Sequence, residues 1–91
     1  MNRDEARQKA ERYLADLRGR GQLSDATGIG RVLRWDEPGV RLPTIYGRSP
    51  FARCWIGYLE MPVRGLVSST ILIIDDATGD LLYTGSAYDE G

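Results

Sequence analysis

Side chains that could do chemistry are few in this chain, and most of the usual partners are missing. There is no histidine among the 91 residues, which removes the commonest general base and metal ligand and every Ser-His or Cys-His pair. The single cysteine, Cys54, sits mid-strand between Arg53 and Trp55 and reads as a buried, inert thiol. Arg53 would point to the opposite face of that strand, so it does not activate the sulfur. Three carboxylates, Asp75, Asp76 and Asp80, cluster around Thr78-Gly79. Their spacing fails the EF-hand pattern, and aspartate at a tight turn has a sufficient backbone reason to be there. We therefore expect no enzyme, no metal and no cofactor.

What remains is arginine next to aromatic rings. Arg31, Arg34, Arg41, Arg48 and Arg53 are interleaved with Trp35, Tyr46 and Phe51. Arg, Trp and Tyr dominate protein-interface anchors, so Arg34, Trp35, Arg41, Tyr46 and Arg48 are the candidate partner-binding residues. The competing reading puts Trp35 and Phe51 in the core with the arginines solvated at strand edges. Charge is unevenly placed. Residues 1–53 hold eleven bases and seven acids (+4), and residues 54–91 hold one base and six acids (−5). With a pI near 5.3 the balance argues against nucleic acid as the partner. Thr27-Gly28-Ile29-Gly30 has no strong strand before it and no Lys-Ser/Thr pair after it, so it is not read as a phosphate loop.

The elements that must position these residues follow from pattern. Ala6, Ala10, Tyr13, Leu14 and Leu17 form one apolar stripe, which predicts a helix over 2–18. Asn2 with Glu5 fits a capping box, and Gly19 or Gly21 can close the far end. A short strand is expected at 22–24. Longer ones are expected at about 31–36, 51–61, 66–74 and 81–85, with an edge strand within 40–46 as a fifth candidate. In the first of the longer strands, alternation puts Leu33 and Trp35 on one face and Val32 on the other. Ile71–Ile74 enters a turn at Asp75–Asp80, where Gly79 supplies a positive φ, and Leu81–Tyr83 leaves it as a hairpin.

The fold class is thus α+β: an N-terminal helix packed on a four- to five-stranded antiparallel meander, in a single domain over 1–91. A chain of this size buries roughly 60–65% of its unfolded surface, about one helix stripe and one sheet face. Apolar residues on both faces of two strands then leave one face to be covered by sheet curling, by the 37–50 segment or by another chain. We favour a protein partner or a homodimer there. No hydrophobic run follows the charged start, no stretch is long enough to span a bilayer, and a lone cysteine suits a reducing compartment. A cytoplasmic protein without membrane association is expected.

The series Cys54-Trp55-Ile56-Gly57-Tyr58, followed by Ile71-Leu72-Ile73-Ile74-Asp75-Asp76-Ala77-Thr78-Gly79-Asp80-Leu81-Leu82-Tyr83-Thr84-Gly85-Ser86-Ala87, resembles the bacterial immunity protein 35 family. Members are short, start with an amphipathic helix, place a Trp-led strand mid-chain and end in a D-x-x-T-G hairpin. The stretch between Trp55 and Leu66 is shorter here than the family's usual insert. The resemblance implies a cytoplasmic protein that neutralises a cognate bacterial toxin by binding it, with no catalytic residues. The same hairpin also resembles the ending of PepSY-type domains, which keeps a regulatory module of that kind open beside a self-associating structural domain.

Overall fold

The computed structural model describes residues 1–23, 26–38, 40, 53–60 and 70–86. Helix α1 spans Arg3–Gly19, one residue later at each end than the apolar stripe predicts, because Asn2 is its cap and not its first turn. The Asn2 Oδ1 accepts from the Glu5 backbone N–H at 2.8 Å, and the Glu5 carboxylate accepts from the Asn2 N–H at 3.2 Å, a reciprocal capping box. At the other end Gly21 takes φ +81. The Gly21 N–H donates to Arg18 O (3.0 Å) and the Gln22 N–H to Leu17 O (2.9 Å), closing the helix as a Schellman motif. That use of its backbone is why Gln22 and Leu23 form no strand, contrary to expectation; Leu23 instead packs on the core with φ +51.

Among the described residues four strands follow, β1 (Gly28–Arg34), β2 (Cys54–Glu60), β3 (Thr70–Asp75) and β4 (Leu81–Ser86), in the antiparallel order β1-β2-β3-β4. The expected edge strand within 40–46 falls outside the described residues apart from Val40, which is not in a strand. Residues 51, 52, 61 and 66–69, expected in strands, also lie outside them. Strand β1 begins three residues before its expected start and ends two before its expected end. A bulge lies within it: Ile29 pairs with Leu59 but Val32 with Gly57, three steps against two. Alternation breaks only between Ile29 and Val32; from Val32 on it runs as the pattern predicts, with Val32 in the cluster under α1 and Trp35 packed on the opposite one. Ile29 and Val32 both face α1 and are buried, while Leu33 and Trp35 are only half-buried.

Two buried clusters lie on the two faces of the sheet. On one, Ala6, Ala10, Leu14 and Leu17 of α1 meet Ile29, Val32, Trp55, Leu59, Leu72 and Ile74. The helix comes close because the contact residues are small: a Cβ at Gly57 would lie 3.5 Å from the Ala10 Cβ. On the other face Cys54, Ile56, Ile71 and Ile73 are at most 1% exposed, with Trp35, Val40, Tyr58, Leu82 and Tyr83 packed against them. The expectation that this face waits for a partner is corrected, since these four residues are already shielded within a single chain.

Small residues at the helix–sheet contact set a test. Ala10→Leu should lower stability by about 1–3 kcal/mol through overpacking. Gly57→Ala, whose methyl would sit at ordinary contact distance, should shift a urea midpoint much less.

Candidate functional site: the arginine and aromatic edge

Among the described residues strand β1 is one edge of the sheet, and arginines stand along it. Arg34, at its end, places its guanidinium 4.8 Å from the Trp35 ring centroid. It also grips Asp36, Nε to Oδ1 at 2.6 Å, with its second nitrogen on Oδ2. This hydrogen bond holds the Asp36 carboxyl below the usual range and raises the Arg34 pKa. Arg31, re-aimed by the bulge, stacks on Tyr58 at 4.9 Å. Arg3, at the start of α1, lies 6.0 Å from the Trp55 ring. Three guanidinium–ring contacts therefore gather on or beside one strand, a geometry in which the cation is attracted to the ring face.

Arg3, Trp55 and Arg34 border an open cleft of about 610 Å³ that Met1, Glu37 and Pro38 also line. Its polar groups are occupied by one another. Glu37 pairs with Arg3 and accepts the Arg34 N–H at 3.2 Å. The Trp55 Nε1–H donates to Asp76 Oδ1 at 2.7 Å, and the Met1 ammonium lies 3.6 Å from the same oxygen. Trp55 is thus core and site at once: its ring is buried under α1 while its one polar atom reaches a carboxylate, which is how a buried indole avoids losing a hydrogen bond.

The acidic turn is a backbone device. Asp75 Oδ2 accepts from the Thr78 N–H (2.8 Å), the Ala77 N–H (3.0 Å) and the Thr78 hydroxyl (3.1 Å). These donors, the Thr78 N–H foremost, pull the Asp75 carboxyl below its usual range. Gly79 closes the turn at φ +76, and its carbonyl accepts the Tyr13 hydroxyl at 2.6 Å, tying the hairpin to α1. Among the described residues no three His, Cys, Asp or Glu side chains come together as a metal site. Cys54 is fully buried, and burial, with Asp75 opposite it, pushes its thiol up to about 11. No helix among the described residues is long and apolar enough to cross a membrane.

Of the five residues singled out from sequence, Arg34 and Trp35 are in contact, and Trp35 also packs on the buried cluster of Cys54, Ile56, Ile71 and Ile73. Arg41, Tyr46 and Arg48 lie outside the described residues. Arg3, Arg7 and the Arg31–Tyr58 stack were missed. Arg3 and Arg7 are one turn apart beside the Ala6–Ala10 stripe, so they flank the sheet, but which strand they reach is a tertiary matter. Comparison of the chain with protein-family models, with curated proteins and with solved structures finds no match.

Two outcomes follow. Cys54 should resist an aromatic disulfide reagent at pH 8 until denaturant is added, at a rate tracking unfolding. Asp75 has a native pKa below its unfolded value, so its turn bonds stabilise the fold above the unfolded value near 3.9 and are lost as pH falls through the native one. Asp75→Asn should therefore flatten the acid limb of a stability-against-pH curve below about pH 4.

Proposed function

We propose that this chain is a non-enzymatic protein-binding module whose contact surface includes the β1 edge around Arg34 and Trp35. The observation that carries this is the pair of guanidinium–ring stacks, Arg34 on Trp35 and Arg31 on Tyr58, with both arginines exposed. An exposed arginine already held against a ring loses less freedom on docking than a solvated one, so it contributes more to affinity. The pairing of the nearby carboxylates with arginines, indole and backbone supports binding over catalysis. The resemblance to immunity protein 35 supports a narrower reading, neutralisation of a cognate bacterial toxin by occupying it.

Self-association through an uncovered sheet face has lost its physical motive, because Cys54, Ile56, Ile71 and Ile73 are shielded within the chain. The test is titration calorimetry against the proteins encoded beside this one, with growth rescue on co-expression as the second readout. A stoichiometric complex is expected, weakened at least about tenfold by Arg34→Ala or Trp35→Ala. No complex with any of them, or a complex indifferent to both substitutions, overturns the reading.

A further inference from the structure

The Arg7 guanidinium spans two neighbouring peptides of β1. One terminal nitrogen donates to Ile29 O at 3.2 Å and the other to Gly30 O at 2.7 Å. In a regular strand successive carbonyls point to opposite sides, so one planar fork cannot take both. Here they converge, because Gly30 and Arg31 form the bulge between Ile29 and Val32 and together stand opposite Tyr58. The fork therefore fits the bulged strand and not a straight one. Burial of Ile29 and Val32 under α1 accounts for the bulge itself, since a straight ladder in register with Gly57 would turn Ile29 to the other face. That burial leaves the turn of the Gly30–Arg31 peptide open. Gly30 has the widest choice of backbone angles, and a Cβ there would lie 3.3 Å from Tyr58 O, too close for an easy substitution. The two carbonyls that Arg7 holds belong to the peptides on either side of the Gly30 α-carbon, so holding both fixes the rotation there.

We propose that Arg7 is the positioning residue of the Arg31–Tyr58 stack: its fork sets the backbone at Gly30, and that backbone sets the direction in which Arg31 leaves the strand. The exposed Arg31 guanidinium lies 4.9 Å from the Tyr58 ring centroid. A guanidinium–ring contact at an exposed site is weak, too weak to hold a glycine hinge by itself. Hydrogen bonds from a charged donor are stronger, and Arg7 applies two of them at the hinge. Arg34 differs in being held over Trp35 by its own neighbour Asp36, with no help from the helix. The bearing of Arg7 on affinity rests on the contact surface proposed above, where a ring-held arginine loses less freedom on docking.

The test is the side-chain NMR spectrum of the free chain, in which the Arg31 δ-methylene protons report the Tyr58 ring by their upfield shift. Tyr58→Leu gives the position of that resonance without the ring. Arg7→Ala should move it most of the way there while the amide spectrum of β2, β3 and β4 keeps its folded pattern. Tyr13→Phe removes a different bond from the same helix to the sheet, the one to Gly79 O, and should leave the Arg31 resonance at its wild-type position. An Arg31 resonance unmoved in the folded Arg7→Ala chain, or moved as far by Tyr13→Phe, overturns the proposal. If Arg7→Ala does not fold, Arg7→Lys, which keeps the charge and loses the fork, replaces it under the same two criteria. The measurement needs no partner, so its failure and the failure of the binding reading are told apart.

Discussion

Close approach of α1 to the sheet is the constraint on which the rest of this structure depends. Ala6 and Ala10 are fully buried, and Ala10 lies over Gly57, where neither surface carries a large side chain. Small residues at a contact let backbones come near, and the near helix then brings its longer side chains within reach of the strands. Arg3 and Arg7 reach the carbonyls of β1, and Tyr13 reaches the carbonyl of Gly79 at the far hairpin. A bulkier seam would lift all three off their partners together. Packing at the centre and hydrogen bonding at the rim are thus one arrangement.

Around that seam, the polar residues that first suggest chemistry are mostly spent on backbone geometry. Asp75 closes its turn by accepting three hydrogen bonds from Ala77 and Thr78. Glu37 holds the end of β1 to the start of α1. Asp76 satisfies the indole of Trp55. Facing outward along β1, by contrast, are the guanidinium groups of Arg31 and Arg34, each held over an aromatic ring. On the sheet face away from α1, Ile56, Ile71 and Ile73 are enclosed in the same way as the seam.

Much of this was legible in the chain. The helix, its Asn2–Glu5 cap and its Ala6–Ala10–Leu14–Leu17 stripe are local: they depend on residues three or four apart, and the structure has them within a residue of expectation. The Ile71–Tyr83 hairpin is equally local, because an aspartate that bonds its own turn and a glycine at positive φ suffice to reverse the chain. Opposite-face alternation of Trp55 and Leu59 against Cys54 and Ile56 follows from the strand's period of two.

Tertiary structure decided the rest, for a common reason: each remaining feature joins residues far apart in sequence. The bulge that turns Ile29 and Val32 to one face is set by the register against Leu59 and Gly57, some 25 to 30 positions on, and no alternation within β1 reveals it. Gln22 and Leu23 form no strand because the helix end uses the Gln22 N–H first. Arg3 and Arg7 lie beside the apolar stripe of α1, and a sequence does not say that the carbonyls of Ile29, Gly30 and Val32 lie within their reach. Local hydrogen bonding and periodicity wrote the elements; only the packed sheet determined which carbonyls of β1 the arginines of α1 reach.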